Sequence, residues 1–246
     1  MSVAVILPAA GLGTRMGRAS AERAGVSRKQ FMLLDGLPIF LHTVRKFAKC
    51  PRVTEIVLAV RAEDREWVEE LLRNEKLAKP ARVVEGGDSR QQSVENALAV
   101  VKPDTALVAV HDAVRPFIDV ETIDRVIDEA GESGAAIVGI VPVDTVKQVG
   151  RVQANRARIR STLPRERLVL AQTPQVFRFD LLRRAFQAAR ADGFTGTDES
   201  SLVERLDEIE VSVVLGSDRN IKITRPGDME LARLFAREET ERRAEH

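Results

Sequence analysis

Cysteine is nearly absent from this sequence, which limits its covalent and metal chemistry. Among 246 residues the single cysteine is Cys50. One cysteine cannot form a disulfide within the chain, and a zinc site built from cysteine thiolates is not expected.

The sequence also lacks an excess of charge and a long apolar run. It has 38 Lys and Arg against 37 Asp and Glu, a net charge of +1, so any anion-binding site must be local. No segment reaches the roughly 18 apolar residues of a membrane span. The N-terminal apolar run breaks at Pro8 without a basic segment before it, unlike a signal peptide. We therefore expect a cytoplasmic protein that binds neither nucleic acid nor membrane.

What the sequence does have is a regular alternation of β-branched apolar runs and helical periods. Continuous apolar strands separated by helices predict an α/β fold, with a mostly parallel sheet covered by helices on both faces. We expect one domain over residues 1–246. The helical period lapses between about 142 and 175, where arginines are dense, and this stretch predicts a protruding β-arm.

Ligands of parallel sheets bind at the carboxyl ends of the strands. This rule selects four loops, which follow Leu7, Val84, Val110 and Val141. Each of these loops carries polar or glycine-rich sequence, so the site is expected where they meet.

The first loop, PAAGLGTRMG, binds phosphate in our interpretation. It lacks the third glycine and the acidic residue of a dinucleotide fingerprint, and it does not match a Walker P-loop. Small residues free the backbone N–H groups to form an anion nest. Arg15 and Lys29 would neutralise a polyphosphate there. The alternatives are a plain strand-to-helix turn and a solvated basic loop.

The later loops supply the remaining polar groups. Gly86 and Gly87 would let a flat base lie against the backbone, with Asp88 or a main-chain group reading its edge. Asp112 follows a strand and is a candidate Mg²⁺ ligand, and Arg115 offers a bidentate fork for phosphate. His111 could act as a base, although a structural role is the simpler interpretation.

Eight ordered motifs carry a family resemblance from about Val3 to Met229: PAAGLGTRMG, KQF, EGGDSRQQSV, HDAVRPF, PVDTVK, QTPQVF, TDE and NIKITRPGD. In this order they resemble the 2-C-methyl-D-erythritol 4-phosphate cytidylyltransferases of the non-mevalonate isoprenoid pathway. The resemblance implies a Rossmann-like nucleotidyltransferase fold and a homodimer with interlocking arms. It also implies CTP, a sugar-alcohol phosphate and Mg²⁺ as ligands.

The resemblance further implies roles for individual residues. CTP would contact Ala9, Ala10, Gly11, Gly13, Gly87, Asp88 and Ser93. The catalytic cations would be Arg15, Lys29, Lys222 and Arg165, with Lys222 on the α-phosphate. The acceptor phosphate compound would meet Asp112, Arg115, Thr145, Arg165, Thr173 and Thr197, with Thr145 and Arg165 reaching in from the partner's arm. Asp112 would also face the metal.

Two departures from the family pattern leave alternatives open. The segment between Arg15 and Lys29 is long, and Arg28 stands where proline is common, so Arg28 is a second candidate for phosphate contact. Val114 replaces the usual alanine, which favours a ribitol-5-phosphate cytidylyltransferase as the alternative activity. An NAD-dependent oxidoreductase and a non-catalytic binding module are the rival classes.

Overall fold

A central sheet of seven strands organises the molecule in the computed structural model, which describes residues 1–11, 28–151, 153 and 156–244. The strands of this sheet are β1 (Val3–Pro8), β4 (Val53–Val60), β5 (Ala81–Glu85), β6 (Leu107–Val110), β7 (Ala135–Ile140), β10 (Leu170–Arg178) and β11 (Ser212–Leu215). Two short pairs lie outside it: β2 (Leu33–Leu34) with β3 (Leu37–Pro38), and β8 (Lys147–Val149) with β9 (Ile159–Thr162).

Seven helices surround the sheet within the described residues. They are α1 (Ile39–Lys49), α2 (Arg65–Asn74), α3 (Arg90–Leu98), α4 (Val120–Ser133), α5 (Phe179–Ala191), α6 (Glu199–Glu204) and α7 (Pro226–Ala244). Side-chain caps start three of them: Ser89 accepts from the Gln92 N–H at α3, Asp119 caps α4 and Asp198 caps α6. Such caps satisfy backbone donors that the first turn leaves unpaired.

The strand order is β11-β7-β10-β6-β1-β4-β5. All neighbours pair in parallel except β10, which runs antiparallel to both β6 and β7. The predicted α/β architecture with a mostly parallel sheet is therefore confirmed, with one antiparallel strand that the sequence patterns did not indicate.

The arm is shorter than predicted at its C-terminal end. We expected it to run to about residue 175, but Leu170–Arg178 crosses the central sheet as β10. Polar residues and a proline interrupt this strand, and the peptide between Thr173 and Pro174 is cis. What protrudes is the short antiparallel pair of β8 and β9 with its flanking residues.

Alternating side chains of the strands build a core on each face of the sheet. Val3, Val5 and Leu7 pack with α1, α2 and α4, whereas Ala4 and Ile6 pack with α3, α5 and α6. Both faces are buried at the central strands β1 and β6, where residues 3–7 and Leu107–Val110 are at most 2% exposed, which is why these two strands are apolar on both faces. The helix α7 packs separately, through a third cluster that includes Val114 and Ile223.

The chain changes direction across the sheet between β1 and β6. From β1 it proceeds outward to β4 and β5, and it then returns to β6 on the other side of β1. Clefts at such a switch point, beyond the carboxyl ends of the strands, are the usual ligand sites of open α/β sheets.

Within the part of the chain that the structure describes, no helix is both long and apolar enough to cross a membrane.

Replacing Phe47 with alanine is expected to lower the free energy of unfolding by about 3–5 kcal/mol, because it leaves a cavity beneath α1. Phe47 is fully buried. Chemical denaturation of wild type and variant measures the loss. The control is Leu234→Ala on α7, where the leucine is 52% exposed and a change of under about 0.5 kcal/mol is expected. A Phe47→Ala loss no larger than that of the control would contradict this packing.

Candidate active site

A cavity of about 380 Å³ opens at the switch point between β1 and β6. Its wall includes Pro8–Gly11, Lys29, Gln30, Arg61, Gly87–Arg90, Ser93, Asp112–Val114 and Lys222. Four side chains of this wall are cationic and two are carboxylates. Of the four loops predicted to meet, those after β1, β5 and β6 line this cavity, whereas the loop after Val141 does not. The lining suits an anionic ligand.

The glycine loop after β1 is held by side chains that bind its carbonyl oxygens. Gln30 Nε2 donates to the carbonyl oxygens of Ala9 (2.6 Å) and Gly11 (3.1 Å). Arg61 Nε donates to the Ala10 oxygen at 3.2 Å. Because these bonds neutralise the negative ends of the peptide dipoles, they lower the electrostatic cost of bringing a phosphate close to the loop. Gly13 and Arg15 lie outside the described residues.

Lys29 lines the cavity, and its neighbour Arg28 does not contribute to the lining. The Arg28 guanidinium forms ion pairs with Asp64 and, at 2.7 Å, with Glu63. Arg28 thus anchors the chain beside Lys29 through two carboxylates, an arrangement that favours Lys29 over Arg28 as the candidate for phosphate contact.

The loop after β5 is shaped by the first turn of α3. Ser93 Oγ accepts the Gly87 N–H at 3.1 Å and donates to the Ser89 carbonyl at 2.8 Å. Gln92 Oε1 accepts the Asp88 N–H at 3.0 Å. The Asp88 side chain itself is exposed, so its carboxylate is accessible to a ligand in the cavity.

Asp112, just beyond β6, is a buried carboxylate surrounded by three cations. Lys222 Nζ lies 2.9 Å from Asp112 Oδ2, Arg115 Nε lies 3.2 Å from the same oxygen, and Arg90 Nε lies 3.3 Å from Oδ1. Burial by itself would raise the pKa of this carboxyl, but the three positive charges outweigh it and hold the pKa well below its usual range. Asp112 is therefore ionised, and the surrounding cations exceed it in charge.

Arg90 is shared between Asp112 and a second buried carboxylate. Its Nη1 and Nη2 donate to the two oxygens of Glu199 at 2.6 and 2.9 Å. Burial raises the pKa of Glu199, while the Arg90 charge opposes that rise. Planar two-point pairing of this kind fixes the direction of the guanidinium as well as its position.

His111 is a structural residue in this arrangement. It is fully buried, its Nε2 donates to the Arg115 carbonyl at 3.1 Å, and its Nδ1 accepts from the Thr173 hydroxyl at 3.1 Å. The Asp112 N–H donates to the same hydroxyl, which leaves that hydroxyl proton for His111 and fixes the neutral tautomer. Burial lowers the pKa of His111 to about 4.

Lys222 reaches the cavity from the segment that follows β11. The Asn220 side chain donates to Gln172 Oε1 and to the Thr173 carbonyl, both at 2.9 Å. The Ile223 N–H donates to the Val114 carbonyl at 3.0 Å. These bonds on both sides of Lys222 direct its ammonium group to Asp112.

The predicted acceptor-binding residues are spread over several locations. Arg115 and Thr173 adjoin Asp112, although the Thr173 hydroxyl is engaged with His111 and the Asp112 N–H. Thr197 is exposed just before the Asp198 cap. Thr145 and Arg165 are exposed on the arm, where Arg165 Nη1 donates to the Val143 carbonyl at 2.7 Å. Neither arm residue lines the cavity described above.

Five residues that shape this site carry no functional signal in the sequence motifs: Gln30, Arg61, Arg90, Gln92 and Glu199. Arg90 and Gln92 stand within a motif that was recognised for its glycines and serine. No local signal in the sequence identifies Glu199, because a glutamate directly after a helix cap is an ordinary first-turn residue.

The site has a glycine loop and lysines at the switch point of an α/β sheet. Among the described cavity residues there is no candidate nucleophile–base pair. The fold and the site together define a nucleotide-binding transferase. Comparison with known proteins makes this specific. The family model of 2-C-methyl-D-erythritol 4-phosphate cytidylyltransferase (IspD) matches residues 3–238, and the chain belongs to this family.

Individual relatives agree with this membership. A protein named 2-C-methyl-D-erythritol 4-phosphate cytidylyltransferase from Solibacter usitatus is 70% identical over 98% of both chains. One of the same name from Acidobacterium capsulatum is 53% identical over 98% of this chain and all of the relative. The crystal structure of 4-diphosphocytidyl-2C-methyl-D-erythritol synthase from Anaerococcus prevotii superimposes with a TM-score of 0.81 at 28% identity, covering 96% of each chain.

The free energy of unfolding is expected to fall as the pH is lowered from 6.5 towards 4, because His111 takes up a proton in that range when unfolded but not when folded. The decrease in the free energy of unfolding that is due to His111 is about 3 kcal/mol at most. Denaturant titrations at pH 7 and 4.5 should show a smaller difference in His111→Gln than in wild type. His42→Gln, at a half-buried ring, should reduce the difference less. Equal pH dependence in wild type and His111→Gln would contradict the neutral assignment.

Proposed function

We propose that this chain transfers a cytidylyl group from CTP to 2-C-methyl-D-erythritol 4-phosphate and releases pyrophosphate. The observation that carries the proposal is the cavity at the switch point. It is lined by Lys29, by Lys222 and by the glycine loop, whose carbonyl oxygens accept hydrogen bonds from Gln30 and Arg61. Family membership supplies the identity of the two substrates.

The reaction forms one bond and breaks one. A phosphate oxygen of the acceptor attacks the α-phosphorus of CTP, and the bond from that phosphorus to the bridging oxygen of the β-phosphate breaks. A phosphate monoester is mostly dianionic at pH 7, since its second pKa is near 6. The nucleophile therefore carries its charge already and needs no general base, which agrees with a His111 that is buried and neutral.

What the reaction requires is alignment of two anions and neutralisation of their repulsion. In our proposal the loop Ala9–Gly13, Arg15 and Lys29 hold the β- and γ-phosphates and stabilise the leaving pyrophosphate. Lys222 leaves Asp112 to bind the α-phosphate, where negative charge builds up in the transition state. Gly87, Asp88 and Ser93 hold the cytosine and ribose.

Magnesium fits this site as an ion held jointly with the nucleotide. The described residues contain no cluster of three or more His, Cys, Asp or Glu that could bind a metal alone. One carboxylate, Asp112, faces the cavity among the phosphate-binding groups, and magnesium in phosphate sites takes one or two carboxylates together with phosphate oxygens. Bound there, the ion would neutralise charge on the triphosphate.

The sugar-alcohol phosphate that accepts the cytidylyl group would bind beside Asp112, on the side where Arg115 lies. Thr173 and Thr197 are proposed to contact it as well. Thr145 and Arg165 lie on the exposed arm and are proposed to serve the active site of a second copy. This assignment requires a homodimer in which arms are exchanged. The exposed Val143, Val149 and Ile159 on the arm support it, because contact with a second copy would cover them.

Lys222→Ala is expected to lower kcat/KM about 100- to 1000-fold, because it removes a cation from the α-phosphate in the transition state. Pyrophosphate release with CTP, Mg²⁺ and the methylerythritol phosphate measures this. Arg15→Ala should have a comparable effect. Lys102→Ala, at an exposed lysine outside the cavity, is the control for loss of a positive charge. Near-normal rates in Lys222→Ala and Arg15→Ala, with circular dichroism unchanged, would refute the assigned roles.

Acceptor choice is expected to favour 2-C-methyl-D-erythritol 4-phosphate over D-ribitol 5-phosphate when both are tested with the wild-type enzyme. Val114, which pointed to the ribitol enzyme in the sequence, is 95% buried and packs in the α7 cluster, so packing alone accounts for valine there. Competition between the two acceptors at equal concentration measures the preference. Pyrophosphate release with ribitol phosphate alone would move the assignment to the sister activity.

A further inference from the structure

The first turn of α3 lies between two loops that the proposed function gives to different substrates. Directly before it are Gly87 and Asp88, assigned to the nucleotide. Packed against it from a distant part of the chain is the segment of residues 194–199, which carries Thr197 and is assigned to the acceptor. Two neighbouring glutamines, Gln91 and Gln92, face these two loops.

Gln91 binds the acceptor segment through both ends of its amide. Its Nε2 donates to the Phe194 carbonyl at 3.1 Å, and its Oε1 accepts the Gly196 N–H at 2.9 Å. Both bonded groups are backbone atoms on the N-terminal side of Thr197. The amide of Gln91 therefore acts as a brace that fixes the path of the chain into Thr197.

Gln92 makes the equivalent contact with the nucleotide loop. Its Oε1 accepts the Asp88 N–H at 3.0 Å. A Cβ atom built on Gly87 would overlap the Gln92 side chain, so the glutamine lies directly against the Gly87 backbone. Successive residues of a helix point about 100° apart, which is why adjacent glutamines reach opposite loops.

Arg90 and Glu199 reinforce the brace on the acceptor side. The two-point ion pair between them joins the first residue of α3 to the first residue of α6. Glu199 is almost fully buried, so its charge depends on Arg90 for compensation. Gln175 of β10 binds the end of this segment and the residue after it, donating to Asp198 Oδ2 at 2.8 Å and accepting the Ser200 N–H at 3.0 Å.

We propose that Gln91 and Gln92 are positioning residues with separate duties: Gln91 sets the acceptor segment and Gln92 sets the nucleotide loop. The inference rests on the proposed function for the names of the two substrates. The division of the contacts between the two loops does not depend on it.

Kinetics of two single variants test the separation. Gln91→Ala should raise the KM for the methylerythritol phosphate about five- to tenfold, the effect of losing one or two neutral hydrogen bonds, while the KM for CTP changes by less than about twofold. Gln92→Ala should do the reverse. The two substitutions remove the same side chain at adjacent helix positions, so each is the matched control of the other. Parallel changes of both KM values in both variants would overturn the proposal.

Hydrogen–deuterium exchange supplies a readout that does not require turnover. In Gln91→Ala, the amides of residues 194–198 should exchange faster because the Gly196 N–H loses its acceptor, while residues 86–89 keep their wild-type rate. In Gln92→Ala, residues 86–89 should exchange faster and residues 194–198 should not. If the wild-type enzyme fails to use the methylerythritol phosphate, the proposed function fails but this result still decides whether the brace exists. Unchanged exchange of residues 194–198 in Gln91→Ala would refute it.

Glu199→Gln tests the ionic part of the brace. This nearly isosteric change should raise the KM for the acceptor about tenfold and leave the affinity for CTP, measured by calorimetry without acceptor, within about twofold. The control is Glu204→Gln, which removes an exposed carboxylate from the same helix and should leave both values unchanged. A loss of CTP affinity equal to the loss for the acceptor would show that Glu199 only maintains the fold.

Discussion

One buried charge, the carboxylate of Asp112, determines how the separate parts of this site come together. Its three cations belong to three different segments: Arg90 to α3, Arg115 to the loop after β6, and Lys222 to the segment after β11. A buried carboxylate without partners is costly by several kcal/mol. The requirement to compensate Asp112 therefore ties the arrangement of these segments to the fold of the sheet.

The three cations are not equivalent, and the difference supports the proposed role of Lys222 in binding phosphate. The Arg90 guanidinium also pairs with Glu199, and Arg115 also donates to the Asn220 carbonyl at 2.7 Å. The Lys222 side chain is the most exposed of the three, at 35%. An ammonium group on a flexible stem can exchange one anionic partner for another with little loss of other contacts. The proposed transfer of Lys222 from Asp112 to a phosphate would keep the ammonium charge compensated in both states.

Sequence patterns predicted most loops of the site, because the positions of strands and turns depend on residues that are close together in the sequence. Apolar strands, glycine turns and the carboxyl-end rule located the loops after β1, β5 and β6, but they also selected the loop after Val141, which does not line the cavity. The motifs located Lys222. The strand β10 was not recognised, since Gln172, Thr173, Pro174 and Gln175 interrupt its apolar pattern and proline is rare within a sheet. Those polar residues are buried because their partners come from other loops, such as Asn220 and Asp198.

Pairings between remote residues are the part that no local pattern reveals. Arg90 and Glu199 are separated by 109 positions, and each stands in a motif recognised for other residues. An arginine at the start of a helix and a glutamate after a helix cap both have ordinary explanations when taken alone. Only the packing of α6 near α3 makes them a buried pair.

The long segment that precedes Lys29 is held at both of its ends by described residues. Its two ends are joined directly, because Gln30 Nε2 donates to the carbonyl oxygens of Ala9 and Gly11. Arg28 fixes the second end independently, through Glu63 and Asp64. The contacts of Gln30 and Arg28, on either side of Lys29, therefore set the position of Lys29 at the cavity.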